Sequence, residues 1–310
     1  MSQDRVDSTG ASAPTDGTDP LATGDLSPAT AVKAQAARES LAARESVLIA
    51  FSGGVDSSVV AALAEDALGD HAVACTARSE TLPAAELDDA ARVAGEIGIR
   101  HETVTFSELD DPNFVANDEE RCYHCRTMRL GRMYETAHEL DISTVCDGTN
   151  ADDPGEGHRP GLRAVDELDV FSPLLAADIT KAEVRAIAEA YDLSVADKPS
   201  MACLSSRIPT GLEVTEERLS RVEKAERLLR EWGFDGFRVR DHDGLARVEI
   251  APDELERALD PAFADAVYEH LSDLGFEYVT LDMAGYRTGS VSPGGEESDH
   301  SPDLGQQYPR

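Results

Sequence analysis

Phe51-Ser52-Gly53-Gly54-Val55-Asp56-Ser57-Ser58 follows the apolar run Val47-Leu48-Ile49-Ala50 and leads into a stretch with helical character up to Leu68. A short apolar run of that kind suits a strand buried in a parallel sheet. The glycines then turn the chain and let backbone N–H groups approach an anion closely. The N-terminus of the following helix adds partial positive charge. Ser57 and Ser58 bring hydroxyl donors, and Ser52, Gly53 and Gly54 complete an anion cradle. A Walker-type loop would carry Gly-Lys-Ser/Thr, and no lysine is present here. The loop reads as a nucleotide cradle that is not of the kinase type.

Outward from this loop, strands and helices alternate. Helices are expected over 31–44, 58–68, 84–97, 128–140 and 180–191, and strands over 47–51, 72–76, 102–105 and 144–146. Thr180 and Glu183 have capping-box spacing at the start of the last of these helices. The alternation predicts an α/β fold with a doubly wound, mostly parallel sheet. Beyond Gly211 the rhythm changes. A charged helix over 215–232, strands over 237–240 and 246–250 around Asp243-Gly244, a mostly helical stretch over 252–274 and a strand over 278–282 predict a smaller α+β domain. The expected domains are thus 29–211 and 212–289. Residues 1–28 and 290–310 lack hydrophobic periodicity and are expected to be disordered tails.

The chain of 310 residues has 61 acidic against 28 basic residues, a net charge of −33, and its lysines are Lys33, Lys181, Lys198 and Lys224. Such a surface repels nucleic-acid backbones and suits adaptation to high salt, where screening is short-ranged. No apolar run is long enough to span a bilayer, and the N-terminus has no signal-peptide pattern, so a soluble cytoplasmic protein is expected. Five cysteines in such a chain favour metal, redox or core roles over a disulfide framework. Cys75 and Cys146 end apolar strands and read as small buried hydrophobes.

The Ser-Gly-Gly-Val-Asp-Ser-Ser string resembles the PP-loop of the adenine nucleotide α-hydrolase superfamily. That resemblance implies a PP-loop ATP pyrophosphatase fold, cleavage of ATP to AMP and pyrophosphate, and Asp56 positioning Mg²⁺. Further segments narrow it: Arg121-Cys122-Tyr123-His124-Cys125, Asp147-Gly148-Thr149-Asn150-Ala151-Asp152-Asp153 with His158 to Ala164, Lys198 to Pro209, and Thr280 to Arg287. Together they resemble the LarE family of ATP-dependent sulfur transferases, over about residues 31 to 289. The family implies that a carboxylate of pyridinium-3,5-biscarboxylate mononucleotide is adenylylated, and that sulfur then replaces AMP. Arg207, Arg238, Arg240 and Arg287 are candidates for its phosphate and carboxylates, because guanidinium forks match such groups bidentately. Arg238 and Arg240 lie two apart on a strand and face the same side. Pairing with nearby acids is the competing reading of these arginines.

Some LarE proteins give up the sulfur of one cysteine. This chain departs from that pattern with the pair Cys122 and Cys125 plus a lone Cys203. The resemblance to the cluster-bearing branch assigns these three to a [4Fe–4S] cluster with one open iron, and Cys203 and Asp56 to catalysis. Zinc with His124 as a further ligand is the competing metal. The implied partners are the nucleotide substrate, sulfide or another sulfur donor, a nickel-inserting enzyme of the cofactor pathway, and further copies of the chain. Alternatives are another PP-loop enzyme, a tRNA thiolase or an amide-forming ligase, and a non-catalytic nucleotide- or cluster-binding module.

Overall fold

The computed structural model describes residues 19–22, 26–155, 160–199 and 202–286. The chain forms two compact units, Met1–Ser107 with Cys122–Met201, and Glu108–Arg121 with Ala202–Arg310. The second unit thus begins before residue 211 and takes in an earlier segment of chain as well.

In chain order the elements are α1 (Pro28–Ala42), β1 (Val47–Ala50), α2 (Val55–Leu68), β2 (Ala72–Arg78), α3 (Ala84–Ile97) and β3 (Arg100–Thr105). A short α4 (Pro112–Val115) follows, then α5 (Arg121–Glu139), β4 (Thr144–Cys146), α6 (Pro160–Glu167), α7 (Pro173–Ala176) and α8 (Lys181–Ala190). The last described elements are α9 (Glu216–Glu231), β5 (Phe237–His242), β6 (Leu245–Ile250), α10 (Leu255–Ala258), α11 (Pro261–Asp273) and β7 (Tyr278–Leu281).

In the first unit the strands are parallel in the order β3-β2-β1-β4, with Val47 opposite Ala72 on one side and Thr144 on the other. Successive side chains of a strand point to opposite faces. Accordingly Val47, Ile49, Ala72 and Ala74 join one core, with the alanine and aliphatic faces of α1, α2 and α8. Leu48, Cys75 and Ala77 join another, with Leu130, Met133 and Ala137 of α5. Apolar burial on both faces requires helices on both, which is the doubly wound arrangement. Cys75 and Cys146 are buried, and burial pushes both thiols up to about 12, so they pack as inert hydrophobes. Leu21 and Leu26 are also buried in the first core, so packed chain begins before residue 28. The C-terminal tail from 290 lies outside the described residues.

In the second unit β5 and β6 are antiparallel and β7 lies parallel to β6. Asp243 and Gly244 both have positive φ, 56° and 93°, as the tight turn of a two-residue hairpin requires. Phe237, Val239 and Val248 face Leu229 of α9 and Phe263 and Leu271 of α11 in the core. The alternate positions, Arg238, Arg240 and Glu249, are polar yet also buried. Among the described residues no helix is long and apolar enough to cross a membrane.

Candidate functional site

The loop after β1 closes on itself. Ser57 Oγ accepts from Ser52 N at 3.2 Å and donates to the Gly54 carbonyl at 3.1 Å, and Ser52 Oγ accepts from Gly54 N at 3.3 Å. Gly53 has φ +68°, and a Cβ there would fall 2.8 Å from Ala90 Cα, so both conformation and space demand glycine. Gly54 is the N-cap of α2 without a side-chain cap, which leaves the first N–H groups of the helix to other partners. Ser52, Asp56 and Ser57 line a cavity of about 270 Å³ with Thr76 at the end of β2, Arg126 of α5 and Asp147 after β4. The cavity sits at the carboxyl ends of the strands, where open α/β sheets bind ligands. Ser58 points elsewhere: it is fully buried, and its hydroxyl has no hydrogen-bond partner among the described residues.

The segment after β4 completes this site. Asp147 is buried; it accepts from Thr149 N at 3.1 Å, from the hydroxyls of Thr149 and Ser172 at 2.6 Å each, and from the guanidinium of Arg126. Gly148 passes so close to the loop that a Cβ would fall 2.9 Å from Ser57 N. Asn150 Nδ2 donates to Asp56 Oδ1 at 3.0 Å, and Lys181 Nζ donates to Asp56 Oδ2 at 2.5 Å. Lys181 is the first residue of α8, whose Thr180–Glu183 capping box is formed as its spacing predicts. On the other side of the cavity, Thr76 Oγ1 lies 2.8 Å from His101 Nε2. Burial holds His101 below the ordinary imidazole range, against the opposing pull of Glu102. Sequence reading assigned no role to Arg126, Asn150 or Lys181. Asn150 stood in a motif, but nothing local to Arg126 or Lys181 names a partner.

In the second unit, Arg207 is fully buried and its fork holds Glu226 through two hydrogen bonds of 2.8 and 2.9 Å. Its remaining nitrogen donates to the carbonyls of Ala202 and Cys203 at 2.6 and 3.1 Å. Arg240 likewise grips Glu249 at 2.6 and 3.0 Å and reaches the Ser206 carbonyl at 3.0 Å. Arg238 differs. It donates to its neighbour's carbonyl and lies over the Tyr286 ring at 4.8 Å, but has no carboxylate partner among the described residues. Burial, followed by repulsion from Arg207, lowers its hold on its proton. Arg287 lies outside the described residues, as does His158.

Cys122 is exposed and Cys125 half-buried, one turn apart at the start of α5. That spacing sets both thiols on one helix face. Cys203 is half-buried in the second unit, with Sγ 3.1 Å from Ser205 Oγ. Arg121, the residue before Cys122, donates to the Ser205 carbonyl at 3.0 Å and to Asn117 Oδ1 at 2.5 Å. Among the described residues no three His, Cys, Asp or Glu side chains are gathered as a metal site.

The asparagine synthase family model matches residues 31–132, the stretch containing the loop. The chain is 43% identical to an uncharacterized protein of Synechocystis sp., over 79% of this chain and 91% of that one. It is 36% identical to the pyridinium-3,5-bisthiocarboxylic acid mononucleotide synthase of Lactiplantibacillus plantarum, over 79% of this chain and 88% of that one. It is also 29% identical to a tRNA-specific 2-thiouridylase MnmA of Paracoccus denitrificans, over 65% of this chain and 59% of that one.

Proposed function

The chain belongs to the LarE family of PP-loop enzymes, and from that premise we propose that it is an ATP-dependent sulfur transferase acting on pyridinium-3,5-biscarboxylate mononucleotide. The observation that carries this reading is the 36% identity to the bisthiocarboxylate synthase across both units, with the cavity at the PP-loop as its ATP site. A substrate carboxylate oxygen attacks the α-phosphorus of ATP. The bond to the β-phosphate oxygen breaks, and pyrophosphate leaves with the electron pair. A sulfur nucleophile then adds to the acyl carbon and expels AMP, which leaves the thiocarboxylate.

Ser52 and Ser57, with the uncapped N–H groups of α2, receive the phosphates. Asp56 carries a hard carboxylate at the cavity wall and would be the residue to hold Mg²⁺. Bound there, the ion would neutralise charge on the departing pyrophosphate. Arg238 is the guanidinium we assign to the substrate's phosphate. Arg207 and Arg240 act by holding Glu226, Glu249 and the backbone around Cys203 and Ser206 in place.

Cys122, Cys125 and Cys203 are the thiolates we assign to a [4Fe–4S] cluster. The shared helix face of Cys122 and Cys125 supports the first two of these ligands. When bound, such a cluster supplies an open iron position for sulfide. Sulfide or another sulfur donor, a nickel-inserting enzyme and further copies of the chain are the partners this reading entails. The acid excess reads as adaptation to high salt.

ATP–pyrophosphate exchange tests the function. The mononucleotide should stimulate it, with AMP and pyrophosphate as products; exchange driven by tRNA, or ADP as the stoichiometric product, would overturn the assignment. The similarity to tRNA thiolases motivates that tRNA arm, although a net charge of −33 opposes a polyanion. Absence of exchange with any acid would leave a binding module.

A further inference from the structure

The loop from Ala202 to Leu212 belongs to no sheet, so its carbonyls depend largely on side chains for partners. Arg207 takes those of Ala202 and Cys203, Arg121 that of Ser205, and Arg240 that of Ser206. Asn117 Nδ2 takes the carbonyls of Pro209 and Leu212, at 2.8 and 2.7 Å. Two of the three arginines are fixed by buried carboxylates, Arg207 by Glu226 and Arg240 by Glu249. Arg121 donates instead to Asn117 Oδ1, at 2.5 Å. Asn117 therefore serves the loop twice, directly with its amide hydrogens and through Arg121 with its oxygen. An amide is needed for this, because an aspartate would set lone pairs against the two carbonyls. The residue is fully buried and holds φ at 54°, a left-handed conformation that asparagine tolerates and most side chains avoid. Its own carbonyl accepts from Gly211 N at 2.9 Å. Segment 108–121 and the loop lie in the same compact unit, so these contacts are internal to it.

The group that these bonds fix is the cysteine. Ser205 is buried, with its carbonyl on Arg121 and its hydroxyl 3.1 Å from Cys203 Sγ. Holding Ser205 and the far end of the loop sets where the half-buried thiol of Cys203 stands. We propose that Asn117 is a positioning residue for sulfur transfer: it holds, directly and through Arg121, the loop that presents Cys203, and takes no part in adenylylation. The groups it bonds lie on that loop or within 114–121, and none of them lines the PP-loop cavity. A reacting group misplaced by about 1 Å can cost roughly 10²-fold in rate, so a hold on this loop bears on the second step alone. The role of Cys203 rests on the sulfur-transferase reading; the hold on its loop does not.

The test is thiol reactivity in Asn117→Gly, which keeps the left-handed backbone without strain and removes only the side chain. The full-length chain, reduced and stripped of metal with a chelator, is alkylated with iodoacetamide, and each cysteine is followed by mass spectrometry. Cys203 should react about 10-fold faster or more than in the wild type, because two hydrogen bonds to its loop are lost. Cys122, in the other unit, should keep its rate, and the buried Cys75 and Cys146 should stay unmodified. An unchanged Cys203 overturns the proposal. So does a rise shared by Cys75 and Cys146, which reports general unfolding rather than a local hold. In turnover, Asn117→Gly should keep wild-type ATP–pyrophosphate exchange and KM for ATP, while thiocarboxylate formation falls about 10- to 100-fold. Equal losses in both steps overturn the proposal as well. If Asn117→Gly does not fold, Arg121→Met decides: it should show the same selective rise at Cys203, and no rise overturns the assignment. Alkylation needs neither ATP nor mononucleotide, so failure of the exchange assay and failure of this proposal are separate results.

Discussion

Arg207 and Glu226 form a two-point ion pair in which the arginine is fully buried and the carboxylate almost so. The same guanidinium holds the carbonyls of Ala202 and Cys203, so the pair fixes the backbone on which the cysteine sits. Glu226 also accepts from Val239 N at 3.1 Å, which ties α9 to β5. Removing one partner of a buried pair leaves the other charge uncompensated. Glu226→Ala should therefore destabilise the protein by about 3–5 kcal/mol. Adding Arg207→Leu in the same chain should recover part of that loss. Urea unfolding of the single and double variants measures both.

Arg238 leads to the opposite expectation. It stands directly opposite Glu249 in the β5–β6 register, but Glu249 is gripped by Arg240 from the diagonal position. A buried guanidinium without a carboxylate opposes folding and suits an anionic ligand. Arg238→Met keeps the aliphatic stem and removes the charge. Its melting temperature should equal or exceed that of the wild type, while KM for the mononucleotide rises about 10-fold or more. A fall in stability with KM unchanged would remove Arg238 from the substrate site.

His101 predicts a pH dependence. Burial holds its folded value below the unfolded value of about 6.5. The unfolded chain therefore binds a proton that the folded chain refuses. Stability from this group is present above about pH 6.5 and falls as the pH drops from there toward the folded value. His242 is also held low, first by burial and then by Arg247 and Arg240, and adds a contribution of the same sign. Thermal melts of wild type and His101→Gln across this range isolate the first contribution: the variant should lose less stability on acidification.

Net charge predicts the response to salt. At −33, self-repulsion is large in dilute buffer and is relieved as the Debye length falls to about 3 Å near 1 M salt. Melting temperature and exchange rate should both rise well past physiological salt. A melting temperature that stays flat from low to molar salt would contradict high-salt adaptation.

Sequence alone determined the local devices. An apolar tetrapeptide before Ser-Gly-Gly specified a buried strand and a tight turn into a helix, Thr180 and Glu183 a helix start, and Asp243-Gly244 a hairpin turn. Each works because the groups that interact lie within a few residues of one another. Helix α5 marks where this reading stops. It was expected from 128 but begins at Arg121, because its buried residues start only at Leu130 and the first turns carry no apolar period. That difference put Cys122 and Cys125 on a helix face. Only tertiary structure chose the partners of the charged groups: Lys181 for Asp56, Arg126 for Asp147, Glu226 for Arg207 and Glu249 for Arg240. With 61 acidic residues in the chain, every arginine and lysine has many possible acids, and nothing in the local pattern selects one. The selection comes from burial: a carboxylate carried into the interior by its strand or helix must be met by whichever cation the packing brings within reach.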